Sequence, residues 1–243
     1  MKQDVKSSVT QLLGFVRKAI DEGAHAIAAF DADGTLWNDD VGEGFFKYQI
    51  ENALVPLPKN PWEHYKDLKK NVSHEVAYLW LAQINKGRSI SEVRRWAFEN
   101  IEKNPPDFIS ESKQLVEGLK KWGVEIYVVT ASIKWAVEPA AHLLGIDFDH
   151  VLGVKSKVLS GLVTEEQEGE ITWKHGKAKA LLAATHNRRP VIVSGNTLGD
   201  LDLIQLASHL KVSVMAAKPG SHMWDVEKKL RDQARGPGWH HLP

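Results

Sequence analysis

Apolar residues along the chain fall into two kinds of pattern, which predict strands and helices. The run Ala26-Ile27-Ala28-Ala29-Phe30 carries no charge, and it is typical of a buried strand in a parallel sheet, which is apolar on both faces. Residues 4–22 before it carry apolar side chains at helical spacing, and Gly23 follows as a cap, so we predict a helix packed on the sheet. The helical positions are Val5, Val9, Leu12, Leu13, Val16 and Ile20.

Between residues 39 and 104 the pattern changes, because no strand-like apolar run occurs there. A linker with three prolines leads into helical segments, and Ser89 with Glu92 forms a capping-box pattern for the last one. The predicted helices cover residues 61–70, 73–86 and 90–103. An all-helical insertion between two strands of a sheet is typical of a lid over a site.

Strands and helices alternate again after Pro106. This alternation predicts a doubly wound (Rossmann-like) α/β fold with a parallel sheet and an all-helical cap inserted after the first strand. We expect a core domain of residues 1–38 and 105–243 and a cap domain of residues 39–104. The first predicted helix of this part is capped by Asp107 and ends at Gly123. Further helices are predicted over 133–144, 174–186, 199–208 and 221–234. The predicted strands cover 124–130, 171–173, 190–194 and 212–215. One or two short strands are also predicted within 148–163, with a hairpin at Gly161. Residues 165–170 are predicted as a polar loop and the tail after 235 as loose.

Composition narrows the class of protein. The 243 residues carry 31 basic and 31 acidic side chains, so the formal net charge is zero and neither nucleic acid nor a membrane is an expected partner. The lack of cysteine excludes disulfides, thiolate metal sites and cysteine catalysis. Met1-Lys2-Gln3-Asp4 opens no apolar signal core, and no run is long enough to span a membrane. We therefore expect a cytoplasmic protein. The sequence is compatible with either a monomer or a homodimer.

Polar side chains follow the predicted strands at their carboxyl ends, where open α/β sheets bind ligands. They are Asp31 and Asp33 after the first strand, Thr130 and Ala131 after the second, Lys177 near the start of a helix, and Asn196 and Asp200 after the strand at 190–194. This set suits a phosphoryl group held together with Mg²⁺, an ion that prefers oxygen ligands. Candidate metal ligands are Asp31, Asp200 and the amide oxygen of Asn196, and candidate phosphate-binding residues are Thr130, Ala131, Lys177 and Asn196.

The two acids of the first strand suit different steps of phosphoryl transfer. An aspartate such as Asp31 can act as nucleophile and form an aspartyl-phosphate, and Asp33 can protonate the leaving alcohol and later activate water. Structural alternatives remain open for each residue taken singly. Asp31 and Asp33 could simply form an Asp-Gly turn, and Asp200 could be a helix N-cap. Thr130 could be an ordinary β-branched residue at the end of a strand.

These motifs resemble the four motifs of haloacid-dehalogenase-like hydrolases, in particular the phosphoserine-phosphatase-like branch. The resemblance rests on Asp31-x-Asp33-Gly-Thr, a strand-terminal Thr130, Lys177 at the opening of a helix, and a Gly-Asn-x-x-x-Asp loop. It implies that Asp31 is the nucleophile and a metal ligand, that Asp33 is the general acid/base with its carbonyl on the metal, and that Thr130 and Lys177 hold phosphate. The cofactor it implies is Mg²⁺.

One position departs from the branch, which often has aspartate where this chain has Asn196. An amide oxygen still ligates a cation, but the site carries one negative charge fewer. Whether Asn196 or Asp200 is the direct ligand stays open, as does a shifted register that uses Asp200 and Asp202.

The predicted lid supplies candidates for substrate specificity. Glu43 follows the loop that carries Asp31 and Asp33, and its carboxylate could bind an amine on the substrate. A solvated acid in the first turn of a helix explains this residue equally well. Phe46 and eight other aromatic residues offer a cage for a quaternary ammonium group, and lid core is their alternative role. These eight are Phe45, Tyr48, Trp62, Tyr65, Tyr78, Trp80, Trp96 and Phe98. Arg88, Arg94 and Arg95 suit either an anionic substrate group or an exposed helix surface.

The sequence thus predicts a magnesium-dependent phosphatase for a small phosphomonoester, working through an aspartyl-phosphate. The expected substrate is a phosphorylated amino acid or amino alcohol, such as phosphoserine or phosphocholine. Two alternatives use the same residues: a phosphotransferase or mutase, and a non-catalytic phosphoester-binding module.

Overall fold

The computed structural model describes residues 7–243 as a central parallel sheet flanked by helices, with a helical cap inserted after the first strand. The strands are β1 (Ile27–Phe30), β2 (Glu125–Ile133), β3 (Val151–Val154), β4 (Ser156–Leu159), β5 (Leu162–Gln167), β6 (Ile192–Gly195), β7 (Leu210–Val214) and β8 (Trp239–Leu242). The helices are α1 (Val9–Asp21), α2 (Val41–Glu51), α3 (Pro61–Asp67), α4 (His74–Gln83), α5 (Ile90–Lys103), α6 (Ser110–Lys120), α7 (Lys134–Leu143), α8 (His175–Ala184), α9 (Leu201–Ile204) and α10 (His222–Gln233).

The order of the strands confirms the predicted doubly wound fold. Six parallel strands lie in the order β3-β2-β1-β6-β7-β8. The chain builds outward from β1 in one direction and later restarts at β6 on its other side. Phe30 at the end of β1 is in register with Val128 of β2 and Ser194 of β6. The carboxyl ends of β1 and β6 therefore border the topological switch point, where this class of sheet binds ligands.

Burial explains why β1 lacks any polar position. Ala28 and Phe30 face a cluster formed with helices α1 and α6, and Ile27 and Ala29 face a second cluster formed with α8, α9 and α10. All four side chains are at most 1% exposed. Because both faces of β1 are covered, an uninterrupted apolar run is the sequence that this strand requires.

Several local predictions were wrong. Residues 162–167, in part predicted as a loop, form β5, and residues 171–173 form no strand. Asp107 does not cap α6; its carboxylate accepts a hydrogen bond from Asn38, and no side chain caps that helix. The tail was predicted to be loose, yet β8 pairs with β7 along its whole length. The first helix was predicted to start at residue 4 and to include Val5. Both positions lie outside the described residues.

A hairpin of β4 and β5 extends the cap and was only partly foreseen. Its turn residues Ser160 and Gly161 both have positive φ, 49° and 82°, as a two-residue turn between antiparallel strands requires. The amide of Ile90 donates to the carbonyl of Gly161, and the amide of Val163 donates to that of Arg88. Residues from this later part of the chain thus complete the cap, while the boundary at 39–104 stays a prediction.

The cap is joined to the core by an apolar cluster and by an ion pair with a buried carboxylate. Cap aromatic residues share their cluster with Ile133, Trp135 and Ala136 of the core. Arg94 of α5 donates two hydrogen bonds, of 2.7 and 2.9 Å, to Glu138 of α7, which is fully buried. Within the described residues, no helix is both long and apolar enough to cross a membrane.

Candidate active site

Asp31 follows β1 directly, and its carboxylate lies at the switch point. Its backbone amide donates to the carbonyl of Ser194 at 2.9 Å, which continues the pairing of β1 with β6. Oδ1 accepts a hydrogen bond from Lys177 Nζ at 2.5 Å, and Oδ2 accepts one from Thr35 Oγ1 at 3.1 Å. Burial, together with the negative charge of Asp200, raises the pKa of Asp31 to about 7.

Lys177 lies between two carboxylates. Its ammonium contacts Asp31 Oδ1 at 2.5 Å and Asp200 Oδ1 at 2.6 Å, and the residue is 3% exposed. Burial alone lowers the pKa of Lys177, but attraction to Asp200 and Asp31 outweighs it and the net shift is upward. A side chain on the preceding Gly176 would place its Cβ 1.9 Å from the carbonyl oxygen of Ile171. A glycine is therefore needed where the first turn of α8 packs against the segment that precedes it.

Asp33 lies at the junction of core and cap. Its Oδ1 accepts hydrogen bonds from Trp37 Nε1 at 2.8 Å and from the Val41 amide at 3.0 Å, and its Oδ2 accepts one from Ser132 Oγ at 2.7 Å. Val41 is the first residue of α2, so the carboxylate also faces the amino terminus of a helix. Burial raises the pKa of Asp33 despite these donors, which suits a group that has to carry a proton.

The loop after β6 is organised by Asp200. Its Oδ2 accepts hydrogen bonds from the amides of Asn196 and Thr197, at 3.2 and 2.9 Å, and from Thr197 Oγ1 at 3.0 Å. Asp200 and Asn196 are both 1% exposed. Asp202 is exposed on α9, and this favours the register that uses Asn196 and Asp200 over the shifted one.

The end of β2 lies opposite. Thr130 is 1% exposed, and its Oγ1 accepts a hydrogen bond from the Ser132 amide at 3.0 Å. Its carbonyl accepts one from Thr172 Oγ1 at 2.5 Å, which ties β2 to the segment before α8. Thr130, Ala131 and Ser132 all line the same cavity as the acids.

One cavity of about 500 Å³ brings nearly all predicted site residues together. Those that line it are Asp31, Asp33, Thr130, Ala131, Lys177, Asn196, Asp200 and Glu43. Phe46 is the exception: its side chain is 1% exposed and packs edge-on against Trp62, Tyr65 and Trp80. The prediction that Phe46 contacts substrate is therefore wrong, because its ring lies in the cap core behind Tyr65.

Glu43, Tyr65 and Tyr78 form the cap side of this cavity, and they already surround a cation. Lys69 Nζ lies 3.0 Å from Glu43 Oε1, 4.3 Å from the centre of the Tyr65 ring and 5.2 Å from that of Tyr78. Burial, with the charges of nearby acids, raises the pKa of both tyrosines. The arrangement is that of an ammonium site made of two rings and a carboxylate.

Sequence reasoning did not single out Ser132, Thr197 or Lys69. Ser132 stands two residues after Thr130 in an extended segment, so period-two alternation places both on one side. Thr197 is a capping-box residue for the turn that contains Asp200. No sequence pattern identified Lys69. It lies in a π-helical segment, Leu68–Val72, part of which was predicted as a continuous α-helix over residues 61–70.

The site has an excess of negative charge that fits a divalent cation. Three carboxylates, those of Asp31, Asp33 and Asp200, lie around the ammonium of Lys177. Among residues 7–243, no three His, Cys, Asp or Glu side chains converge as a ready metal cluster. A complete ligand set therefore needs the amide oxygen of Asn196 and a backbone carbonyl, and all of these are the oxygen donors that Mg²⁺ prefers.

A parallel α/β sheet that brings Asp31, Asp33, Lys177 and Asp200 together at its switch point is an arrangement that suits a hydrolase of the phosphatase class. The chain belongs to the haloacid dehalogenase-like hydrolase family, whose pattern it matches over residues 28–205. It is 23% identical to a phosphorylcholine phosphatase of Pseudomonas aeruginosa, over 93% of this chain and 81% of that protein. It is 22% identical to a histidinol-phosphatase of Neisseria meningitidis, over 88% of this chain and 96% of that protein.

Solved structures agree on the fold. A phosphoserine phosphatase crystallised as a phospho-aspartyl intermediate analogue superposes with a TM-score of 0.52 and 20% identity. The superposition covers 81% of this chain and 88% of that one. The predicted membership of the family is confirmed.

Proposed function

We propose that this protein is a magnesium-dependent phosphomonoesterase that works through an aspartyl-phosphate at Asp31. The observation that carries the proposal is the buried Asp31–Lys177–Asp200 array at the switch point, with contacts of 2.5 and 2.6 Å. Such an array supports a nucleophile next to groups that neutralise phosphate charge. A purely structural ion pair would not need two carboxylates at the mouth of a cavity.

In the first step, an Asp31 carboxylate oxygen attacks the phosphorus atom of the substrate. The bond from this oxygen to phosphorus forms as the bond from phosphorus to the leaving alcohol breaks. Lys177 and the hydroxyl of Thr130 bind the phosphoryl oxygens and hold the phosphorus atom in line between Asp31 and the leaving oxygen. The oxygen of the alcohol takes a proton from Asp33, whose raised pKa favours the protonated form before transfer.

In the second step, Asp33 acts in reverse. Its carboxylate accepts a proton from a water molecule, and the resulting hydroxide attacks the phosphorus of the aspartyl-phosphate. This breaks the bond to Asp31 and releases inorganic phosphate. The hydrogen bonds from Trp37, Val41 and Ser132 keep Asp33 in one orientation through both steps.

Asp31, the carbonyl of Asp33, Asn196 and Asp200 are the residues that would hold Mg²⁺. When bound, the ion supplies charge stabilisation to the phosphoryl oxygens during transfer. Asp200 also has a second role, because its hydrogen bonds hold the loop that carries Asn196.

The substrate we propose is a phosphorylated amino acid or amino alcohol. Glu43, Tyr65 and Tyr78, which contact the ammonium of Lys69, would bind a positively charged leaving group in its place. The cavity of about 500 Å³ is large enough for such a phosphoester. Relatives named phosphorylcholine phosphatase and histidinol-phosphatase act on phosphoesters of this kind.

The test is phosphate release from a panel that includes phosphoserine, phosphocholine and histidinol phosphate, with Mg²⁺ and with EDTA. We expect release from at least one compound and its loss in EDTA. Release that survives EDTA would contradict the metal requirement. Transfer of labelled phosphate to an added alcohol would indicate a phosphotransferase, and tight binding without turnover would indicate a binding module.

Lys69→Met should improve hydrolysis of phosphocholine relative to phosphoserine. Lys69 occupies the site that a trimethylammonium group would take, so its removal frees Glu43 and both rings for the substrate. We expect kcat/KM for phosphocholine to rise about tenfold, which corresponds to one cation–π contact. The measurement is kcat/KM on both substrates.

Lys70→Met is the matched control for this change, because Lys70 is the exposed neighbour on the same segment. It should leave both values unchanged. An equal fall on both substrates in Lys69→Met would show that Lys69 supports the cap rather than fills the ammonium site.

A further inference from the structure

Asn196 is held by a buried carboxylate from a distant part of the chain. Its Nδ2 donates a hydrogen bond to Glu227 Oε1 at 3.1 Å. Glu227 lies on α10 and is 2% exposed, and its Oε2 accepts a hydrogen bond from the amide of Ala217 at 3.0 Å. Both oxygens of Glu227 are therefore engaged by N–H donors.

This contact decides which end of the Asn196 amide faces the cavity. An asparagine amide has an oxygen end that binds cations and an NH₂ end that repels them, and the two ends have nearly the same shape. Both oxygens of Glu227 accept hydrogen bonds from N–H groups, so Glu227 binds the NH₂ end of the Asn196 amide and leaves Oδ1 for the opposite side. Asn196 lines the same cavity as Asp31, Lys177 and Asp200.

Gly34 packs the amide from a third side. A Cβ at position 34 would lie 1.9 Å from Nδ2 of Asn196 and 3.4 Å from Oε1 of Glu227. Gly34 also has a φ of +76°, which other residues rarely adopt. The glycine after Asp33 therefore leaves the space in which the two side chains meet.

We propose that Glu227 is a positioning residue that orients the amide of Asn196, so that residues 196 and 227 act as a matched amide–carboxylate pair. Neither residue of the pair has to be an aspartate for the site to offer oxygen to a cation. The inference rests on the proposed metal-dependent function, and it assigns Glu227 no contact with substrate.

The test exchanges the two functional groups. In Glu227→Gln, the introduced amide has one acceptor for two donors, those of Asn196 and Ala217, so the Asn196 amide is no longer held in one orientation. Asn196→Asp places two carboxylates in contact. In the double variant Asn196→Asp/Glu227→Gln, the introduced amide donates to the introduced carboxylate and accepts from Ala217, and every hydrogen bond is restored with the same total charge.

Mg²⁺ affinity, measured by calorimetry on the full chain, should fall about tenfold in Glu227→Gln, as it does when groups that orient metal ligands are removed. The double variant should recover most of this loss. The Tm measured with and without Mg²⁺ should follow the same order. Asp225→Asn, an exposed change on the same helix, is the control and should have no effect.

Two results would overturn the inference while leaving the proposed function intact. One is wild-type Mg²⁺ affinity in Glu227→Gln, and the other is a double variant that binds Mg²⁺ no better than the weaker single variant. If the wild-type protein itself binds no Mg²⁺ and releases no phosphate, the proposed function fails first and the inference fails with it.

Discussion

Asp31→Asn should lower phosphate release by at least about 10⁴-fold, because an amide cannot serve as the nucleophile and loss of a nucleophile costs this much or more. The change keeps the shape of the side chain and an oxygen that accepts from Lys177. The expected result is therefore a folded, inactive protein that forms no acid-stable phosphoprotein. The measurement is phosphate release together with acid-quenched labelling.

The stability of this variant gives an independent check with a defined sign. The pKa of Asp31 is raised from its ordinary 3.8 to about 7, so the ionised carboxylate destabilises the fold. This free-energy cost is absent below pH 3.8, the pKa of the carboxyl in the unfolded chain. It grows as the pH rises from 3.8 towards 7 and is complete above about pH 7. In EDTA, Asp31→Asn should therefore raise the Tm at about pH 8 and have less effect at about pH 5.

Asp202→Asn is the matched control, since it makes the same chemical change on an exposed side chain two residues after Asp200. It should change neither activity nor Tm. Activity in Asp31→Asn within tenfold of wild type would contradict the aspartyl-phosphate. An unfolded Asp31→Asn protein would contradict the sign of the stability effect.

The core of the fold could be predicted because burial leaves a local signature. A strand covered on both faces, such as β1, has to be apolar throughout, and the acids that follow it then stand out. Because parallel strands end at one edge, residues as far apart as Asp31 and Asp200 could be assigned to one site from their order alone. The cavity confirms that they lie together.

Contacts between distant segments had no such signature. Trp239–Leu242 is a strand only because β7 offers an unpaired edge next to it. The hairpin at residues 156–167 has a polar face because it lies across the cap and not in the main sheet. Glu227 and Lys69 acquire their importance from partners 31 and 26 residues away, which no short pattern contains.

The aromatic residues of the cap illustrate the same limit. Phe46 and Tyr65 lie in one cluster, with ring centres 5.8 Å apart, yet only Tyr65 lines the cavity. Helical spacing identifies which residues share a face, but it does not say which member of a face ends at the edge of the core. That choice depends on how α2, α3 and α4 pack together.

Arg94→Met should destabilise the protein by about 3 kcal/mol. This is the lower part of the range for removing the partner of a buried charge, because the Arg94 side chain itself is 36% exposed. The fully buried Glu138 would lose both hydrogen bonds from Arg94 and retain only Lys134, at 3.4 Å. The measurement is urea unfolding of the variant and of Arg95→Met. Arg95 forms an exposed pair with Glu99, so its loss should cost less than about 0.5 kcal/mol.

The double variant Arg94→Met/Glu138→Met separates two explanations of that loss. If the cost comes from an unpaired buried charge, removing both charges should recover most of the stability, because apolar replacements of buried pairs are often neutral. If the double variant is as unstable as Arg94→Met, the packing of the Arg94 side chain matters instead. In either case, a cap that opened as a rigid body would have to break this pair and expose Trp135.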